Sequence, residues 1–328
     1  MQNTKIAING FGRIGRLAFR IAYQKGYDIA AINDLTDNET LAHLLKHDTA
    51  YPEFGPEVDY DENNIIIDGE KIEVLSEKEP SNLPWSELDV DIVLECTGVF
   101  RSKEDSQAHL DAGAEKVIIS APADNTTEYV RGVNCQSYND EDIIDNASCT
   151  TNSTAPTARV MKEEFGIDKA MMSTIHSYTS SQNLQDGPHS DLRRARAAAE
   201  NIVPTTTGAA KATTEVIPEL EGKFDGVAFR VPTVTVSLTD FTFLLNQKVS
   251  VDEVNQAMRD YADDQLEGIL DVTDEPLVST DFRGNPYSAV VDSQMTRVVD
   301  GNLVKVVAWY DNEWGYANRL IEMLDIIS

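Results

Sequence analysis

Near the middle of the chain, Asn146-Ala-Ser-Cys-Thr-Thr-Asn152 sets one cysteine among small hydroxyl residues, just ahead of a run, 153–165, whose apolar residues recur at helical spacing. This places Cys149 at a helix N-terminus, where free N–H groups and the helix dipole favour a thiolate. Twenty-seven residues on, the β-like run 171–176 ends in His176, which is a base for that thiol if the two segments adjoin. A lone cysteine is also read as a small buried hydrophobe, and a lone histidine as core or surface filler. The pair is therefore a candidate that the rest of the chain must position.

A second stretch able to do chemistry opens the chain. A short apolar run, 4–9, leads into Gly10-Phe11-Gly12-Arg13-Ile14-Gly15, then an amphipathic segment, then a second apolar run, 27–33, closed by Asp34, 24 residues after Gly10. In this Gly-x-Gly-x-x-Gly pattern the first glycine permits a tight turn. The second lets backbone approach a pyrophosphate, and the third lets helix and strand pack closely. Strand, helix, strand and acid in this order read as a dinucleotide site. Asp34 can accept from a ribose 2′-hydroxyl and would repel a 2′-phosphate, which favours NAD over NADP. Buried strands over 89–97 and 116–120 would bring Thr97-Gly98 and Ser120 to the same edge.

Composition narrows the classes. Lys and Arg total 27 against 56 Asp and Glu, a net charge of −29 that repels phosphate backbones and anionic lipid. Neither nucleic acid nor a membrane is an expected partner, and no run of 18 apolar residues occurs. The first strand follows Met1 almost at once without a signal-like segment, so a cytoplasmic protein is expected. Three scattered cysteines, Cys96, Cys135 and Cys149, suit neither a disulfide framework nor zinc, so no metal site is expected. The acidity has two open readings, an ordinary acidic protein or a surface adapted to high salt.

The remaining elements must hold these residues. A helix over 41–47, a hairpin over 64–75 turning at Asp68-Gly69, breaks at Pro80 and Pro84, and the two later strands fit two mononucleotide-binding halves within residues 1–149. From Thr150 the pattern becomes long and β-rich. A polar, Arg-bearing connection over 180–204 is too long for an ordinary loop, and Pro204-Thr-Thr-Thr-Gly-Ala-Ala-Lys211 reads as a phosphate-binding helix start. Arg230, amid apolar strand residues of 226–245, calls for a carboxylate or phosphate partner, structural or ligand. Ser250 to Glu253 forms a capping box, a second hairpin turns at Asp300-Gly301, and a C-terminal helix over 313–328 has an apolar face suited to docking on the first domain.

Taken together, Asn9-Gly-Phe-Gly-Arg-Ile-Gly-Arg16, Ser148-Cys-Thr-Thr-Asn152, Asp191-Leu-Arg-Arg-Ala-Arg-Ala197, Pro204-Thr-Thr-Thr-Gly-Ala209, Phe229-Arg-Val-Pro-Thr233 and Trp309-Tyr-Asp-Asn-Glu313 resemble the phosphorylating glyceraldehyde-3-phosphate dehydrogenases along the whole chain. The resemblance implies an α/β Rossmann domain over 1–149 and an α+β catalytic domain with a mainly antiparallel sheet over 150–312. It further implies a homotetramer with NAD as cofactor and glyceraldehyde 3-phosphate and inorganic phosphate as substrates. It assigns the nucleophile to Cys149 and the base to His176. Thr179 and Arg230 match the site for the substrate's own phosphate. Ser148, Thr150, Thr207 and Gly208 match that for attacking phosphate, with Arg194 close to both. Lys78, Thr97, Gly98, Ser120, Asn312 and Tyr316 join the glycine loop and Asp34 as cofactor residues, Asn312 holding the nicotinamide amide. Three departures stand out. Ser153 replaces a common second cysteine, Tyr178-Thr-Ser-Ser-Gln182 lacks a usual acid, and Gly187-Pro188 replaces Leu-Pro beside the adenosine ribose, which leaves NADP acceptance open. The alternatives are an erythrose-4-phosphate dehydrogenase, in which water resolves the thioester, and a binding protein reusing the fold.

Overall fold

A computed structural model describes residues 4–327; residues 1–3 and Ser328, at the ends of the expected first domain and C-terminal helix, lie outside it. The described residues separate into two compact units, one of 4–129, 135–147 and 317–327, the other of 130–134 and 148–316. Among the described residues no helix is long and apolar enough to cross a membrane.

The first unit begins with β1 (Lys5–Asn9), α1 (Arg13–Lys25), β2 (Asp28–Asn33) and α2 (Asn38–Lys46). A meander follows of β3 (Val58–Tyr60), β4 (Asn64–Ile67) and β5 (Glu70–Leu75), its last turn closed by Asp68 and Gly69 at φ 50° and 89°, the left-handed pair that suits a tight hairpin. Then come β6 (Ile92–Glu95), α3 (Lys103–Asp111), β7 (Lys116–Ile119), β8 (Thr127–Glu128) and β9 (Ile143–Asp145). The nine strands lie in the order β3-β4-β5-β2-β1-β6-β7-β9-β8, parallel from β5 onward. Ile6, Ile8, Val93, Leu94, Val117 and Ile118 are wholly buried, as a parallel sheet requires of its centre. The chain leaves β1 toward β2 and returns on the other side at β6, so a crevice opens outside the carboxyl ends of β1 and β6. The strand expected over 89–97 is shorter. β6 pairs with β1 only over Ile92–Glu95, after which the Glu95 carboxylate accepts the Thr97 N–H at 2.7 Å and bends the chain out of the sheet.

The second unit opens with α4 (Cys149–Phe165) and β10 (Ile167–Ser177). After the long connection come β11 (Val203–Thr205), α5 (Ala209–Val216), β12 (Phe224–Val231), β13 (Ser237–Leu245), α6 (Val251–Ala262), β14 (Leu270–Thr273), β15 (Ala289–Asp292), β16 (Arg297–Val299) and β17 (Leu303–Tyr310). The order is β11-β12-β10-β13-β17-β15-β14, with β16 on β17; only β10/β12 and β14/β15 run parallel. The mainly antiparallel sheet is thus observed. Ser250 and Glu253 form the expected capping box on α6. Two local expectations need correction. Residues 203–205 are an edge strand rather than part of a helix start, and Pro204 is tolerated there because an edge leaves its missing N–H unneeded. The C-terminal helix is two, α7 (Trp314–Glu322) and α8 (Leu324–Ile327), because beyond Met323 the Ile326 N–H bonds the Met323 carbonyl in a three-residue step.

Candidate active site

In the first unit the glycine loop behaves as its spacing demands. Gly10 has φ 92°, and a Cβ there would lie 2.6 Å from the Thr97 nitrogen; a Cβ on Gly15 would lie 2.1 Å from the Gly10 carbonyl. A Cβ on Gly12 would meet nothing within 4 Å, so the open space sits where α1 begins, with Gly12 as an N-cap that supplies no side-chain bond. Free N–H groups facing open space fit a pyrophosphate. A cavity of about 480 Å³ alongside brings together Asn9, Gly10, Gly12, Asp34, Lys78 and Thr97 of the expected residues. Phe11, Arg13, Ile14 and Gly15 form the turn and first helical residues beside it. Gly98 and Ser120 follow the ends of β6 and β7 without lining the cavity.

Asp34 accepts the Phe11 N–H at 2.8 Å and the Thr36 N–H at 3.0 Å through separate oxygens, each keeping a lone pair for a ribose. Sequence reasoning missed Asn33, Leu35, Glu77, Val99 and Phe100 in the same wall. Asn33 was findable as the last residue of the strand before Asp34. The apolar Val99 and Phe100 carry no spacing signal. Lys78 stands between Glu77 and Glu79, so its charge is offset locally.

In the second unit Ser148 caps α4, its Oγ accepting the Thr151 N–H at 2.9 Å, and Cys149 is the first helical residue. Ala147, immediately before, sits at φ 56°, a strained conformation for a residue with a Cβ, as at many reactive turns. His176 is the penultimate residue of β10, and its Nε2 lies 3.4 Å from Cys149 Sγ. The imidazole Nδ1 lies 2.7 Å from the Ser177 carbonyl, which can only accept, and 3.3 Å from Arg230 Nη1, which can only donate; the much shorter carbonyl contact puts the proton on Nδ1, so Nε2 offers a lone pair to the thiol.

Strand register supplies the cation. β10 and β12 pair His176 with Arg230, whose Nη1 donates to the Ser177 carbonyl and Thr179 Oγ1, each at 3.2 Å. Arg230 Nε is buried and makes no hydrogen bond, and among the described residues no carboxylate forms an ion pair with the guanidinium. Of the two expected partners, the ligand anion is the one this geometry favours.

Electrostatics bear on the resting state of the pair. Burial pushes the Cys149 thiol up despite the pull of Arg230 and of the Thr150 and Cys149 backbone N–H groups. Burial, then Arg230, pushes His176 down to about 3. The pair rests as thiol and neutral imidazole. Cys96 is pushed up to about 12 by burial.

Elsewhere in the second unit, Arg194 donates to Thr205 Oγ1 at 3.1 Å and pairs with Asp191 at 3.6 Å. Thr207 Oγ1 accepts the Ala209 N–H at 3.1 Å, and Gly208 precedes α5, which packs on α4. Asn312 Oδ1 accepts from Ser177 Oγ at 3.0 Å and Ser237 Oγ at 2.8 Å, an arrangement that leaves its Nδ2 as a donor. Tyr316 is buried at the start of α7. Tyr310, missed from sequence, joins Thr150 Oγ1 at 3.0 Å to Thr174 Oγ1 at 2.8 Å.

Comparison with known proteins identifies the family. Residues 4–103 match the family model "Glyceraldehyde 3-phosphate dehydrogenase, NAD binding domain", and 148–312 match "Glyceraldehyde 3-phosphate dehydrogenase, C-terminal domain". The chain is 52% identical to glyceraldehyde-3-phosphate dehydrogenase 1 of Bacillus cereus, over 98% of this chain and 97% of the relative. It is 53% identical to the glyceraldehyde-3-phosphate dehydrogenase of Streptomyces coelicolor over 97% of each, and 52% identical to that of Geobacillus stearothermophilus over 99% and 98%. The chain, with its NAD-binding unit and its Cys149–His176 pair, belongs to the glyceraldehyde-3-phosphate dehydrogenase family.

Proposed function

We infer that this chain oxidises D-glyceraldehyde 3-phosphate with NAD and phosphorylates the product to 1,3-bisphosphoglycerate, the glycolytic and gluconeogenic reaction. The observation that carries the chemistry is the 3.4 Å contact between Cys149 Sγ and an acceptor Nε2 of His176. Arg230, with its unspent Nε, and Thr179 hold the substrate phosphate. As sulfur adds to the aldehyde carbon, the thiol proton passes to His176 Nε2, which returns it to the nascent alkoxide to give the hemithioacetal. His176 then removes the hydroxyl proton as the carbon is oxidised and the thioester forms. NAD, when bound, supplies the hydride acceptor. Gly12 and the first turn of α1 would hold its pyrophosphate, Asp34 its ribose and Asn312 its carboxamide.

An oxygen of inorganic phosphate, held by Ser148, Thr150, Thr207 and Gly208 with Arg194 nearby, attacks the thioester. The C–O bond forms, the C–S bond breaks, and Cys149 leaves as thiolate to recover its proton from His176. Ser148 also serves as the α4 cap, so its part in phosphate binding is shared with helix capping. Residues 1–149 with the C-terminal segment act as the cofactor domain and 150–312 as the catalytic domain. A homotetramer is part of this reading, and the long connection carries Leu184, Leu192 and Ile202 at 79%, 81% and 68% exposed, side chains that a second subunit would cover. Cys96, Cys135 and Cys149 form no disulfide among the described residues, which suits a reducing cytoplasm. Steady-state turnover of glyceraldehyde 3-phosphate and NAD should require inorganic phosphate. Undiminished NADH formation without phosphate or arsenate would point instead to hydrolysis.

A further inference from the structure

We propose that Thr150 is a specificity residue that presents only lone pairs to the attacking oxyanion, so that its subsite takes monohydrogen phosphate, which carries an O–H, over a dianion of similar size that carries none. The proposal rests on the reading of Thr150 as part of the inorganic phosphate site.

The observation is a directional chain of hydroxyls. Thr174 Oγ1 lies 3.3 Å from the Leu238 carbonyl, which can only accept, so the single Thr174 proton is spent there. Tyr310 Oη, 2.8 Å from Thr174 Oγ1, must therefore donate to it. With the Tyr310 proton spent, Thr150 Oγ1 at 3.0 Å must donate to Tyr310. Each gap is then filled by one proton. Thr150, Thr174 and Tyr310 are 5%, 1% and 2% exposed, so bulk water does not compete for these positions. The segments come from α4, β10 and β17, and the Tyr310 ring also stands edge-on to His176, which fixes its hydroxyl.

What remains on Thr150 Oγ1 is acceptor capacity, 4.0 Å from Cys149 Sγ, beside the atom on which the thioester is carried. A hydroxyl so held completes a hydrogen bond with an oxyanion that keeps a proton. Toward a bare oxygen it sets lone pair against lone pair. A buried polar group left without its partner is the more discriminating kind of contact, because the mismatch costs more than the match gains. The opposite polarity, with Thr174 donating to Tyr310 and Tyr310 to Thr150, would make Thr150 an ordinary donor and leave the Leu238 carbonyl unserved by Thr174.

The probes are inorganic phosphate, monofluorophosphate (the dianion with fluorine in place of the hydroxyl) and sulfate. They are compared at constant ionic strength and at a pH where all are dianions. In the wild type, monofluorophosphate and sulfate should compete with phosphate at least roughly tenfold more weakly than phosphate itself binds. Tyr310→Phe removes the acceptor that occupies the Thr150 proton, and Thr174→Val turns the Tyr310 proton back onto Thr150. Either variant should bring the ratio toward unity, and the second serves if the first folds poorly. Equal competition in the wild type, or a ratio unchanged in a folded variant, overturns the proposal. Thr150→Val separates the two levels of failure. If the phosphate KM does not move, Thr150 is outside the phosphate site and the reading beneath fails too. If it rises while the variant ratios stay fixed, the site stands and the acceptor polarity alone is wrong.

Discussion

His109 and His176 are both buried in this chain, yet their neighbours set them to opposite tasks. In the first unit, Trp85 Nε1, a donor only, lies 3.0 Å from His109 Nδ1, so that nitrogen must accept and the proton sits on Nε2. Nε2 then donates to Glu95 Oε2 at 3.2 Å. The same carboxylate takes Asn9 Nδ2 at 2.5 Å and both the N–H and the hydroxyl of Thr97. Every polar atom of that knot is spent, and it ties the carboxyl ends of β1 and β6 beneath the dinucleotide cavity. His176 has the other tautomer because its Nδ1 faces a carbonyl, and its free nitrogen faces a thiol. A saturated network positions backbone. A network left open by one proton can react. Burial alone therefore does not mark a catalytic histidine; what the two ring nitrogens face does.

The largest expected break in the comparison is at the nucleophile. Cys149→Ser should abolish turnover while calorimetry still shows NAD binding, since a hydroxyl is far less acidic and less nucleophilic than a thiol at neutral pH. His176→Asn should slow hydride transfer in a single turnover by roughly 10²–10⁴, the usual cost of losing a general base. Loss of only a fewfold would mean that Nε2 takes no proton from Cys149.

His109→Asn should behave differently. It leaves the Glu95 carboxylate and the Trp85 N–H short of partners in a dry core, a cost of about 1–3 kcal/mol per group, visible as a lower melting temperature. At saturating NAD the chemical step should stay within severalfold of wild type. A loss in that step as large as that of His176→Asn would erase the distinction between the two histidines.

Acid stability sharpens the contrast. His176 binds its proton near pH 6.5 when unfolded and only at about pH 3 when folded, so the unfolded state holds more protons across that window. Stability from this residue is fully present above pH 6.5 and is lost as pH falls toward 3, by an amount on the order of a few kcal/mol. Denaturant titrations from pH 7 to 4 should show a shallower acid limb in His176→Asn than in wild type. Identical limbs would contradict a buried neutral imidazole.

The smallest effect concerns the surface both units share. With a net charge of −29, like-charge repulsion weakens as the Debye length falls from about 30 Å at 0.01 M salt to about 3 Å at 1 M. Melting temperature should climb with KCl, with both units contributing. A flat or falling curve from 0.05 to 3 M KCl would leave the acidity without a role in salt tolerance.

Much of this was legible in the chain. The glycine spacing fixed the β1–α1 turn because each glycine answers a local steric demand at Thr97, open space or Gly10. Cys149 was readable as a helix start because capping and periodicity are local signals. Arg230 was visible as an odd residue, but its place beside His176 depends on a parallel register 54 residues away, which no local pattern encodes. The Thr150–Tyr310–Thr174 chain was invisible for the same reason. The upward push of burial on the thiol was not legible because desolvation depends on what the fold packs around Cys149, whereas a helix start shows in sequence.

The central claim is that His176 offers an unprotonated Nε2 to a neutral Cys149 thiol. Nitrogen-15 NMR of histidine-labelled protein reads it directly, with signals assigned through His176→Asn and His109→Asn. The account predicts near neutral pH a pyrrole-type Nδ1 and a pyridine-type Nε2 for His176, and the reverse for His109. A His176 ring protonated on both nitrogens, or carrying its proton on Nε2, would contradict it.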